Sequence, residues 1–248
     1  MHPLSEPHRI WSRRKAFCVL AMLAQVLAVN PPQTGAASAA EPPSAPPDAI
    51  SLFNGRDTAG WQHRGSGEPV KWKIAEGALE VVPGTGDIQT RQTFRDFQLH
   101  VEFNVPLMPN ARGQARGNSG VYLQGLYEIQ VLDSYGLKPR NDDCGAIYGQ
   151  AAPMVNACRP PEQWQSYDIL FHAPRYAPAG VLVEKPRVSV LQNGIWIQDN
   201  VAINNRTTAS LETDPHRDGP ILLQDHGNRV RYRNIWLRPL PAPVSTGG

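Results

Sequence analysis

Apolar and polar residues alternate one for one through most of this chain, and a period of two commits it to strands. Leu99, Val101, Phe103 and Val105 fall on one face of a segment whose other face carries His100, Glu102 and Asn104. Val121 and Leu123 alternate with Tyr122 and Gln124. After Gly125-Leu126, Ile129 and Val131 alternate with Glu128 and Gln130. Val188 and Val190 run into Asn193-Gly194, and Ile195 and Ile197 follow. Asn-Gly between two such runs predicts a hairpin, because both central turn positions need φ > 0. Further strands are expected at 71–75, 78–82, 167–172, 220–225 and 229–238, and beyond the first forty residues no segment keeps a 3.6-residue apolar period. The expected fold is all-β: a sandwich or jelly roll of two antiparallel sheets.

The first forty residues follow a different rule. Arg9, Arg13, Arg14 and Lys15 precede the apolar run Ala16–Val29, and Ala37-Ser38-Ala39-Ala40 supplies small residues for cleavage. That order predicts a signal peptide over 1–40 and a periplasmic or extracellular protein with no membrane span after cleavage. A retained anchor is the rival reading. Prolines at 42, 43, 46 and 47 mark 41–49 as a linker; the β-domain is expected at 50–240, with a flexible tail at 241–248. The whole chain carries 24 Lys and Arg against 22 Asp and Glu. The leader holds four of the bases and one acid, which leaves 20 bases facing 21 acids. A nucleic-acid partner needs a basic surplus and is excluded on that ground. Cys18 leaves with the leader; in an oxidising compartment the remaining Cys144 and Cys158 favour a disulfide closing a short loop, with two free buried thiols as the alternative.

The pair of strands within 119–132 bears on function. One face is apolar; the other holds Tyr122, Gln124, Glu128 and Gln130, with Asp133 at the end. Amide, phenol and carboxylate groups on one face suit a polyhydroxylated ligand, although a solvated outer face would read the same way. Gly117-Asn118-Ser119-Gly120 is not a nucleophile elbow, since Val121 stands where the last Gly should be. It is either a strand-entry turn or a backbone-and-amide lining for a pocket. Glu102 and Glu128 are carboxylates inside apolar runs, a pair that can flank a glycosidic bond or can simply meet solvent and cations. Gln224-Asp225-His226-Gly227 closes a strand and offers a histidine for general-base work, or a plain turn. No cofactor is required by these motifs; a divalent cation at Asp133 or Asp225 is the one they allow.

Taken in order, several motifs resemble one family. They are Leu52-Phe53-Asn54-Gly55 with Gly60-Trp61, Gly117–Leu123, Tyr127–Ser134, Gly145–Tyr148, Trp164–Ile169, Gly219–Gly227 and Arg233–Trp236. Together they resemble the secreted concanavalin A-like 3-keto-disaccharide hydrolases, which combine 3-keto-glucoside 1,2-lyase and 3-keto-2-hydroxy-glucal hydratase steps. The resemblance implies a concanavalin A-like jelly roll acting on 3-keto-glucosides or 3-keto-disaccharides. A ketone at C3 acidifies the C2 hydrogen; a base removes it, the C1–O bond breaks by β-elimination, and water adds to the glycal. The base is then His226 or Glu128, while Tyr122, Gln130 and Asn118, with Ser119, Glu102 and Gln224, hold hydroxyls or the oxyanion. Asp133 or Asp225 orients the histidine or binds a metal. The rival classes are a sugar-binding module of the same fold without catalysis, and a structural domain of laminin-G type.

Overall fold

The computed structural model describes residues 45–241. The expected signal peptide, part of the linker and the tail from 242 onward lie outside the described residues. Among those described, no helix is long and apolar enough to cross a membrane.

In chain order the strands are β1 (Ile50–Ser51), β2 (Trp61–His63), β3 (Lys73–Ala75), β4 (Ala78–Glu80), β5 (Ile88–Thr90), β6 (Phe97–Asn104), β7 (Ser119–Leu123), β8 (Tyr127–Val131), β9 (Gln165–His172), β10 (Arg175–Tyr176), β11 (Leu182–Glu184), β12 (Arg187–Gln192), β13 (Ile195–Ala202), β14 (Leu222–Leu223) and β15 (Arg231–Pro239). One 3-10 turn, Gly113–Ala115, interrupts them among the described residues. An eight-stranded sheet runs β13-β12-β9-β6-β15-β4-β3, with β1 also on β15; a five-stranded sheet runs β2-β5-β14-β7-β8; β10 and β11 form a separate hairpin. The named pairings are antiparallel, and the fold is a concanavalin A-like jelly-roll sandwich.

The period of two accounts for the core. Leu99, Val101 and Phe103 of β6 and Tyr167, Ile169 and Phe171 of β9 come from the larger sheet. They pack in one buried cluster with Val121, Leu123, Ile129, Val131 and Leu223 of the smaller one. Two phenols tie the sheets together: Tyr167 donates to Gln130 O at 2.7 Å, and Tyr232 donates to Ser119 Oγ at 2.6 Å. The predicted hairpin forms, with Asn193 at φ 54° and Gly194 at φ 80° joining β12 to β13. The 220–225 strand is shorter than expected. It pairs only at Leu222 and Leu223, because Asp225 turns away to accept from the backbone N–H of Gly86 and Gly227.

Candidate active site

The outer face of the smaller sheet is covered. β7 and β8 are buried on both faces, which contradicts a simple solvated surface. On one side, residues 145–148 run along β8, with Gly145 N–H donating to Gln130 O and Tyr148 N–H to Glu128 O. On another, residues 207–211 fold back, with Thr207 N–H donating to Leu126 O and Leu211 N–H to Gly125 O. Across the top, Gln114 of the 3-10 turn is held by Asn118 Nδ2, which donates to its carbonyl at 2.7 Å.

These segments enclose a cavity of about 130 Å³ lined by Gln114, Asn118, Tyr122, Glu128, Gln130, Tyr148, Thr208, Ala209, Gln224 and His226. The lining carries no lysine or arginine. Six of the residues expected for the site meet here: Asn118, Tyr122, Glu128, Gln130, Gln224 and His226. Gln114, Tyr148, Thr208 and Ala209 were not anticipated. Tyr148 sits in a motif already noted as matching the family, which was the available signal; Thr208 had none.

Glu128 is the centre of the cleft. It stands directly opposite Tyr122 in the β7–β8 register, and the Tyr122 hydroxyl lies 2.9 Å from its Oε2. The hydrogen-bond network turns the Gln130 amide nitrogen toward Ser119 O at 3.0 Å and Glu128 Oε1 at 2.9 Å. A Cβ at Gly120 would collide with Glu128 Oε1, so only glycine lets the side chain lie across β7. Burial pushes the Glu128 carboxyl up to about 8 against the Tyr122 hydrogen bond, with the Asp87 charge adding to the rise. The carboxyl is therefore mostly protonated at neutral pH. Burial and the adjacent Glu128 also drive the Tyr122 phenol far above its usual range, so it keeps its proton.

Proton counting orders this network. The Tyr122 oxygen also lies 3.0 Å from Thr208 O and 3.1 Å from Gln224 Nε2. A hydroxyl has one proton to give. With Glu128 protonated, its Oε2–H donates to Tyr122, Tyr122 donates to Thr208 O, and Gln224 donates to Tyr122. Every contact is then satisfied. With Glu128 ionised, Tyr122 must choose between the carboxylate and the carbonyl. Gln224 Oε1 remains a buried acceptor with no protein partner.

His226 is exposed at the rim, on the turn that Asp225 fixes through Gly86 N–H and Gly227 N–H, both at 2.9 Å. Asp225 in turn donates its own N–H to Asp87 Oδ1 at 2.9 Å. Its carboxylate holds the turn and does not reach toward the imidazole through any hydrogen bond.

Other expected site residues lie elsewhere. Ser119 shares the core face with Val121, and its hydroxyl donates to Gln224 O at 2.5 Å. It is interior, outside the cavity wall. Glu102 is on β6 of the larger sheet, where Arg233 Nε donates to it at 2.6 Å and Asn234 Nδ2 at 2.9 Å. Burial opposes its ionisation, but hydrogen bonds from His100, Asn234 and Arg233 win and hold it at about 2. It is a structural carboxylate and does not pair with Glu128. Asp133 closes β8 and accepts from Tyr135 N–H at 3.3 Å, with β7 standing between it and Asp225. Among the described residues no three His, Cys, Asp or Glu side chains converge on one point. Cys144 and Cys158 are thiols, not the expected disulfide. They sit side by side, with Gln192 Nε2 at 3.5 Å from one sulfur and 3.4 Å from the other.

Fold and site define a class: a jelly-roll sandwich with a neutral, amide-rich cleft on its smaller sheet, sized for a small hydroxylated ligand. Within that class the chain belongs to the 3-keto-alpha-glucoside-1,2-lyase-like domain family, whose match spans residues 48–238. It is 23% identical over 240 residues to a 3-keto-disaccharide hydrolase of Bacteroides thetaiotaomicron, covering 77% of this chain and 78% of that one. Among solved structures it is similar to a provisionally assigned glycosyl hydrolase of Parabacteroides distasonis, at 42% identity and a TM-score of 0.73, covering 79% of this chain and 85% of the other. A second such protein of the same organism is 20% identical with a TM-score of 0.58, covering 78% of this chain and 94% of the other, and shares the fold. A carbohydrate-active protein of glycoside-cleaving type follows from the family.

Proposed function

We propose that this protein is an exported enzyme that cleaves 3-keto-glucosides or 3-keto-disaccharides by elimination and rehydration. The observation that carries the reading is the joint placement of His226 and a protonated Glu128 on one neutral, polar cavity. His226 takes the C2 proton, and the electron pair of that C–H bond moves into the C3 carbonyl to give an enolate. The enolate collapses, the C1–O bond breaks, and the imidazolium returns the proton to the departing oxygen. Water then adds its hydroxyl to C1 and a proton to C2, so the net change is hydrolysis.

Glu128 serves as the proton-bearing neighbour of the C3 oxygen. A neutral carboxyl can turn its one O–H from Tyr122 to the substrate oxygen and stabilise the enolate, where an ionised one would repel it. This division favours His226 over Glu128 as the base, because a group that keeps its proton at pH 7 is a poor proton acceptor. Gln130, Gln224 and Asn118 supply further amides for ring hydroxyls and the oxyanion.

His226→Ala and Glu128→Gln, assayed on methyl 3-keto-glucoside, test this. Each is expected to lose at least about 100-fold in kcat/KM. Wild-type turnover in both would overturn the assignment. Binding of unoxidised glycans with no turnover of any 3-keto substrate would instead favour a sugar-binding module.

A further inference from the structure

The cavity around Glu128 is not isolated. A second, shallow hollow of about 460 Å³ opens beside it, lined by Gly84, Gly86, Asp225, His226 and Gly227. His226 is the one residue that lines both. The two spaces differ in kind. The first presents amide, phenol and carboxyl side chains from β7, β8 and three loops. The second is floored by peptide backbone, with three of its five residues glycine.

The floor is built to stay bare. Asp225 accepts from Gly86 N–H and Gly227 N–H, which ties the turn at 84–86 to the turn at 225–227 and keeps both edges flat. Trp72 Nε1 donates to Gly86 O at 2.9 Å and holds the same turn from behind. Gly84, Gly86 and Gly227 all have φ near +80°, a region that side chains rarely enter. A Cβ at Gly84 or Gly227 would meet nothing within 4 Å, so the space above them is open. A Cβ at Gly86 would run into the His63 ring.

We infer that this hollow receives the leaving group of the substrate, and that it discriminates weakly among leaving groups because backbone and open space line it. The inference rests on the elimination reading above. In that reading the keto sugar fills the side-chain-lined cavity, and the bond to be broken must pass His226, which returns the proton to the departing oxygen. The leaving group then lies on the far side of His226, over the glycines. Side-chain contacts that could select by shape are concentrated in the first cavity, so selection falls on the keto sugar.

The test compares 3-keto-glucosides that differ only in the leaving group (methyl, phenyl, glucosyl), using wild type and Gly84→Asn. Asparagine tolerates positive φ and projects into the hollow. Wild type is expected to bind phenyl and glucosyl compounds with KM within about tenfold of each other. Gly84→Asn is expected to lower kcat/KM for the glucosyl compound about tenfold while leaving the methyl compound within twofold. Gly84→Asp, which also tolerates positive φ, is expected to act in the same direction, and the wild-type comparison tests the inference if neither variant folds. Equal effects on methyl and glucosyl substrates in the folded variants, or a wild-type KM difference of a hundredfold or more between phenyl and glucosyl, would overturn the inference. No turnover of the methyl compound by wild type would instead overturn the elimination reading beneath it, so the two failures are distinct.

Discussion

The Tyr122 hydroxyl lies 2.9 Å from Glu128 Oε2, across the non-solvated face of a two-strand ribbon. This contact joins the fold to the chemistry. It exists because period-two alternation puts both residues on one face and antiparallel register sets them opposite one another. It controls a proton because the face is buried, and burial holds Glu128 near pKa 8.

The direction of the pH profile near that value separates two roles. If neutral Glu128 assists the reaction, kcat/KM on a 3-keto-glucoside falls as pH rises through about 8. If Glu128 were the base, kcat/KM would rise there. Initial rates from pH 6.5 to 9.5, corrected for spontaneous elimination, decide the matter, and Glu128→Gln is expected to abolish the limb along with most of the activity.

Stability falls with rising pH as well, but over a lower window. A carboxyl whose folded pKa is raised stays protonated in the native state while the unfolded chain ionises near its ordinary 4.5. Stability is then fully present below 4.5 and declines as pH rises to 8, by about 1.4 kcal/mol per unit in that window. Glu128→Gln removes this cost, and a gain of roughly 2–4 kcal/mol at pH 7.5 with little change at pH 4 is expected from urea unfolding. Unchanged stability at both pH values would contradict the protonated assignment.

Gly120 is the space that lets Glu128 lie down. Gly120→Ala places a methyl group against Oε1. The carboxyl must swing away, and the expected result is loss of about 1–3 kcal/mol from overpacking together with loss of turnover. An active Gly120→Ala protein would show that the Glu128 position is not needed.

Glu102 makes a contrasting case on the other sheet. Its folded pKa of about 2 is depressed, so its contribution is present above 4.5 and is lost as pH falls from 4.5 to 2. Glu102→Gln is expected to cost on the order of 1–3 kcal/mol near pH 6 and to flatten the acid limb of unfolding. Turnover on 3-keto-glucosides is expected to stay within twofold, which the same preparation reports.

Much of this arrangement was legible from local pattern. Alternation placed Tyr122, Glu128 and Gln130 together, and Asn193-Gly194 marked its hairpin, because both signals are short-range. The same alternation also sets Ser119 with Val121 on the core face, which its motif context obscured. Glu102 obeys the period equally well, but the period does not reveal which sheet a strand joins or what covers its outer face. Gln114, Tyr148 and Thr208 come from loops fixed by contacts with β8 and its neighbours. Such contacts join segments well separated in the chain and escape the period of two; of the three residues only Tyr148, through its motif, left a trace. The cysteines show the same limit: their proximity follows from the segment 133–160 packing onto β12 through Gln192.

The most direct measurement is turnover of methyl 3-keto-glucoside in heavy water, with the C2 position of the released 3-keto-glucose read by NMR at early time. Proton abstraction followed by addition of solvent to the glycal is expected to leave deuterium at C2 in every molecule released, with methyl glucoside itself untouched. Release of 3-keto-glucose that retains its original C2 hydrogen, or cleavage of the unoxidised glucoside at a comparable rate, would contradict the elimination route through His226 and Glu128.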